Sequence, residues 1–122
     1  MYVIEDDNGH VLSAAKIDQN QGEEYARARW KHATPPERVL VMHTLVVDPA
    51  HEGHGLGHNF IHFYEERARS LGCLALRMDT NMRNVAAREM YAKMGFEEAG
   101  EVACSFNGIP GVTLMCLEKY LG

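Results

Sequence analysis

Val41-Met42-His43-Thr44-Leu45-Val46-Val47-Asp48-Pro49-Ala50-His51-Glu52-Gly53-His54-Gly55-Leu56-Gly57 is the stretch whose reading decides the fold. A β-branched apolar run stops at a proline, a glycine-dense turn follows, and a helix begins. Phe60, Ile61, Phe63, Tyr64, Ala68 and Leu71 then recur at helical spacing, and Leu71-Gly72 closes the helix. Residues 73–78 form a compact apolar run, read as a strand. Strand, helix and strand in that order predict a parallel crossover of the right-handed kind. The turn itself predicts an anion pocket. Glycines at alternate positions let backbone N–H groups converge, and the helix aims its positive end at the same point. The turn lacks the Lys-[Ser/Thr] of a P-loop and the spacing of a dinucleotide-binding turn.

Working outward, residues 2–5 read as a strand, Asp6-Asp7-Asn8-Gly9 as a hairpin turn, and residues 11–17 as the returning strand. Residues 19–38 are polar, hold Trp30 and end in Thr34-Pro35-Pro36. They read as a long surface connection with a helical turn around residues 23–29, and a connection of this length is often functional. Residues 39–47 are the strongest strand. Asn84 is placed to cap a second helix, which Gly95 ends with Phe96 folding back on it. Residues 97–103 read as a strand, 106–111 as a loop and 112–117 as a last strand. The sum is one domain over residues 1–122, of the α/β (α+β) class. Its single sheet is mixed and largely antiparallel around a central parallel strand–helix–strand unit.

Composition narrows the function. A formal charge of −5 over 122 residues excludes a general nucleic-acid binder, so any phosphate must be held by local geometry. Cys73, Cys104 and Cys116 are odd in number and none stands in a CxxC pair, which reads as reduced, buried thiols of an intracellular protein. No apolar run reaches the ~20 residues that span a bilayer, and no signal-peptide pattern follows Met1. The expectation is a cytoplasmic protein with no membrane partner. His54, His58 and His62 repeat at four-residue intervals, but no HExxH pattern or nearby cysteine joins them, so no metal is expected.

The second helix, Asn84-Val85-Ala86-Ala87-Arg88-Glu89-Met90-Tyr91-Ala92-Lys93-Met94-Gly95-Phe96, has its own grammar. Asn84 and Tyr91 lie seven apart on one side, with Ala87 thin between them, a face suited to a ligand arm. The two segments together resemble the GNAT superfamily, the Gcn5-related N-acetyltransferases. The resemblance is specific over residues 39–103 and weaker outside them. It implies a GNAT-like fold and acetyl-CoA as co-substrate. Glu52, Gly53, His54, Gly55, Leu56, Gly57 and His58 would form the pyrophosphate cradle. Leu45, Val46 and Val47 would pair with the pantetheine arm as an added strand, and the backbone N–H of Val46 or Leu45 would polarise the acetyl carbonyl. Asn84 would hydrogen-bond the arm from the other side.

The resemblance makes Tyr91 the general acid toward the departing thiolate. His43, placed by strict alternation on one strand face with Leu45 and Val47, is the candidate base. Other members of the family use water, so a dedicated base is not required. Two departures stand out. Glu52 is acidic where the family places Gln or Arg, and the chain begins at the hairpin, without the strand and two helices the family carries first. The expected activity is transfer of an acetyl group from acetyl-CoA to a primary amine of a small molecule or protein. The alternative is a module that binds CoA and has lost catalysis. A homodimer that pairs its last strands across a two-fold axis is the expected assembly.

Overall fold

The computed structural model describes residues 2–5, 8–21, 25, 28–47, 56–106 and 109–121. The elements are β1 (Tyr2–Glu5), β2 (Val11–Asp18), β3 (Val39–Val47), α1 (Leu56–Ser70), β4 (Ala75–Asn81), α2 (Val85–Lys93), β5 (Glu97–Phe106) and β6 (Ile109–Tyr120). The strands form one sheet in the order β1-β2-β3-β4-β6-β5. Only β3 and β4 run parallel; the other neighbours are antiparallel. This is the mixed sheet with a central parallel unit that the sequence predicts.

Local chemistry explains the boundaries. Gly9 adopts φ +81° in the hairpin, and Gly72 adopts φ +74° just past α1. The end of α2 is a Schellman motif: Phe96 N–H donates to Tyr91 O at 3.0 Å and Gly95 N–H to Ala92 O at 3.1 Å, with Gly95 at φ +93°. Two expectations change. The loop expected over 106–111 is mostly strand, since β5 runs on to Phe106 and β6 starts at Ile109. Pro110 and Gly111 resemble turn residues, but the hairpin needs only the two positions between the strands, and those lie outside the described residues. The helical turn expected near 23–29 also falls largely outside them. Its described part is a bond from Ala28 N–H to Tyr25 O, and a short 3-10 turn at Pro36–Arg38 precedes β3.

The sheet has two cores. One face packs Leu40, Met42, Leu76, Met78 and Leu117 against Phe60, Ile61, Tyr64 and Ala68 of α1 and Tyr91 of α2. The other face carries Val39, Val41, Ala75, Ala99, Val102 and Cys116, and it is covered by Tyr25, Ala28 and Trp30 of the long connection. The surface connection thus also serves as a cover, packed through Tyr25, Ala28 and Trp30.

Arg77 holds the cover down. The run at 73–78 reads as apolar, yet Arg77 is 5% exposed and faces this second core. Its Nε donates to Glu118 Oε2 at 3.1 Å, Nη1 to Gln21 Oε1 at 2.8 Å and Nη2 to His32 O at 2.9 Å. The guanidinium stacks 4.4 Å from the Trp30 ring centroid. A buried cation is tolerated only when such bonds replace water. Glu118→Ala leaves this charge without its counter-ion, and the expected loss is about 3–5 kcal/mol of unfolding free energy in urea titration. A loss under about 1 kcal/mol would show that the pair does not hold the cover.

Candidate active site

The site is built around a fork. The β3–β4 ladder runs from Val39↔Ala75 to Met42↔Met78 and ends there among the described residues, although β3 continues to Val47 and β4 to Asn81. Just inside the closed end, the buried Tyr64 hydroxyl lies within hydrogen-bond reach of Leu40 O on β3 and of Arg77 O on β4. Burial pushes its phenol well above the ordinary range, so it remains a donor. Beyond the fork, β3 offers backbone N–H and C=O groups on its β4 side. An extended polar ligand arm can pair with them as a strand would.

A bulge shapes that edge. Ala14 pairs with Val46 and Lys16 with His43, so Thr44 and Leu45 together face the single residue Ala15. Strict alternation put His43 on one face with Leu45 and Val47. The extra residue breaks the alternation, and that inference does not carry across it. His43 itself follows Val41 by two, on the face covered by the connection. It is half-buried, and its Nε2 lies 2.8 Å from Asp18 Oδ1. Burial acts to raise the Asp18 carboxyl, but the Asn20 N–H bond and the His43 contact outweigh it, and the net shift is below the ordinary value.

Tyr91 comes from the opposite face. It is 6% exposed, and the Schellman bond from Phe96 fixes its backbone while the Phe96 ring packs at 5.9 Å between centroids. Its hydroxyl has no hydrogen-bond partner among the described residues. Burial, and then the charge of Asp79, raise its phenol above the usual value, so it stays protonated at neutral pH. Asn84 caps α2, its Oδ1 accepting from Ala87 N–H at 3.1 Å. The acceptor oxygen is thus engaged, and its amide N–H groups are what a ligand arm would meet.

Of the expected phosphate cradle, Glu52, Gly53, His54 and Gly55 lie outside the described residues. Leu56 and Gly57 open α1, whose N-terminus therefore lies just after the glycine turn, and His58 and His62 are exposed on it. Among the described residues no cluster of His, Cys, Asp or Glu is arranged to hold a metal, and no helix is long and apolar enough to cross a membrane. Sequence reading missed Asp18, Tyr25 and Asp79. Tyr25 donates to Asp79 Oδ2 at 2.7 Å, which joins the cover to β4 one residue past the fork. The available signal was an aromatic pair, Tyr25 and Trp30, within a polar connection.

The Acetyltransferase (GNAT) family model matches residues 1–96. The chain belongs to the GNAT acetyltransferase family. Streptothricin acetyltransferase of Escherichia coli is 32% identical over 102 residues, covering 81% of this chain and 55% of that protein. The chain thus spans about half the length of that curated relative. Among solved structures, nourseothricin acetyltransferase matches with a TM-score of 0.75 at 21% identity, over 97% of this chain and 62% of that one. A spermidine N-acetyltransferase from Vibrio cholerae matches with a TM-score of 0.71 at 15% identity, over 98% of this chain and 63% of that one. These structural likenesses carry the fold. The acid-depressed Asp18 carries a prediction. The stabilisation that outweighs its burial, led by the hydrogen bonds from Asn20 N–H and His43, is complete above the ordinary carboxylate range and is lost as pH falls through its lower folded value. Asp18→Asn is expected to melt below wild type at pH 7, and the two curves should converge in acid once pH has fallen through the lowered folded value. A gap in melting temperature that persists unchanged into acid would refute the linkage.

Proposed function

We propose that the protein transfers an acetyl group from acetyl-CoA to a primary amine of a small molecule or protein. The observation that carries this reading is the fork: a β3 edge left without a β4 partner beyond Met42↔Met78, with the protonated phenol of Tyr91 close by. Acetyl-CoA supplies the acetyl group as a thioester, whose C–S bond breaks as the C–N bond forms. On this reading, the glycine turn and the N-terminus of α1 hold the pyrophosphate through backbone dipoles, which suits a chain of net charge −5. The N–H of Val46 or Leu45, beside the bulge, polarises the acetyl carbonyl.

The amide of Asn84 steadies the arm from the α2 side. Tyr91 gives its proton to the departing sulfur, and solvent restores it. His43, braced by Asp18, takes the proton the amine releases, directly or through water. The family's name and those of the relatives support amine acceptors as a class. A cytoplasmic location and self-association at the β1 or β5 edge belong to the same proposal.

Thiol release from acetyl-CoA across a panel of amines tests the reading, and absence of amine-dependent release from every member would overturn it. Tyr91→Phe is expected to lower kcat by about 10²-fold or more while CoA affinity stays within about twofold, because it removes a proton donor and leaves the packed ring. An unchanged kcat would remove Tyr91 from the chemistry. His43→Ala is expected to abolish the acid limb of the pH–rate profile, and an unaltered profile would leave the proton to water.

A further inference from the structure

Helix α2 carries Tyr91 and follows its cap Asn84, yet it has little apolar grip on the rest of the molecule. It is nine residues long, and among its residues Tyr91 alone is buried. A helix this short is not stable by itself, so its placement depends on what it is fastened to. Its two ends are fastened separately. At the N-terminal end, Arg88 donates to Met82 O at 3.1 Å and to both carboxylate oxygens of Glu98, at 2.7 Å and 3.0 Å. At the C-terminal end, Lys119 Nζ donates to Met94 O at 2.9 Å and to Glu65 Oε2 of α1 at 2.9 Å. Arg69 donates to the other oxygen of Glu65 at 3.2 Å.

Resting on the acetyl-transfer reading above, we infer that Lys119 is a positioning residue for the acid step: by tying the last turn of α2 to α1, it fixes where Tyr91 presents its proton to the departing sulfur. Met94 N–H and Phe96 N–H both donate to Tyr91 O, so the carbonyl that Lys119 holds belongs to the turn that Tyr91 closes. The Tyr91 ring packs on Phe96, so loosening that turn shifts phenol and ring together. Lys119 follows the buried Leu117 by two, which puts it on the helix face of the sheet, and its stem lies over Gly95. A cation at this end of a helix is also favoured by the helix dipole. Glu65 stays ionised to hold it. Burial acts to raise its carboxyl, but the bonds and charges of Lys119 and Arg69 outweigh that and leave it below the ordinary value. Lys119 acts from behind the fork. It pairs with Leu76, two residues before the last rung at Met78, so it stands on the closed side, away from the open edge of β3. It therefore neither gives nor takes a proton in the reaction and works through α2. A displacement of about 1 Å at an acid can cost about 10²-fold in rate, which makes the anchorage of this turn matter.

The test is a double-mutant cycle in the full chain. The rate of the chemical step is read from single turnover of bound acetyl-CoA with the fastest acceptor of an amine panel that includes spermidine and free lysine. Lys119→Met keeps the stem and loses the donors. It is expected to lower that rate about 10-fold or more. Amine KM and the Kd for CoA, measured by titration, should stay within about twofold, and the Kd also reports an intact fold. In the Tyr91→Phe background the same substitution should cost less than about twofold, because the proton it positions is gone. Equal losses in the two backgrounds would mean that Lys119 supports the fold and nothing more, and would overturn the inference while leaving acetyl transfer standing. So would an unchanged rate in Lys119→Met, or in Tyr91→Phe itself. If Lys119→Met fails to bind CoA, Glu65→Ala decides, since it frees the Lys119 tie from α1 and leaves the bond to Met94. A loss of about threefold or more that disappears with Tyr91→Phe supports the inference, and any other result overturns it. A wild type that transfers to no amine removes both readings.

Discussion

Everything functional in this chain depends on four rungs of parallel ladder that then stop. A sheet normally satisfies its backbone groups from strand to strand, and an interior edge left open is unfavourable unless something else pairs with it. Here the opening is enforced from its closed end. Tyr64 reaches from α1 to the carbonyls of Leu40 and Arg77, one on each strand, while Leu40, Met42, Leu76 and Met78 anchor the same level to the helices. Past that level the partners diverge. β4 keeps β6 alongside it, pairing Asp79, Thr80 and Asn81 with Cys116, Met115 and Leu114. β3 keeps β2, but through a bulge. Past that level, among the described residues, each strand is paired on its outer side only.

The two faces of the fork are built by different means. On the helix face, the position of Tyr91 follows from local rules: an N-cap at Asn84, a Schellman stop at Gly95, and a ring packed on Phe96. Lys119 reinforces that end, donating to Met94 O at 2.9 Å and bridging to Glu65 of α1 at 2.9 Å. Gly95 takes φ +93°, a conformation that favours glycine, and a Cβ there would press on the flexible Lys119 side chain at 3.3 Å. Among the described residues, no α-helix packs on the other face. It is covered by an irregular connection whose hold is polar: Arg77 grips Gln21, His32 and Trp30, while Arg29 N–H donates to Ala99 O at 2.7 Å where Gly100 takes φ +113°. Tyr25 reaches Asp79 only because this cover is fastened.

That contrast explains what could be read from the sequence. The strands, both helices, the caps and the central crossover were legible because periodicity and turn chemistry are local. β1 and β3 have the bounds the residues suggest. The GNAT reading of residues 39–103 was equally local, since both motifs sit on contiguous elements. The bulge was not legible, because Thr44 and Leu45 differ in no evident way from a regular strand, and the extra residue exists only relative to β2. Arg77 went unremarked inside a run read as apolar, because its partners lie 41 residues downstream and 56 and 45 residues upstream. Tyr25–Asp79, 54 residues apart, was hidden for the same reason. Long-range polar pairing leaves no period in a sequence.

The charge balance closes the physical picture. A chain of net charge −5 repels a polyanion such as CoA at long range and attracts a cation. The donor must therefore be captured at short range, by converging N–H groups and a helix terminus whose field falls off within about one turn. The acceptor, if cationic, is drawn from a distance. Asp79 is the first β4 residue past the last rung, and its charge is felt by Tyr91.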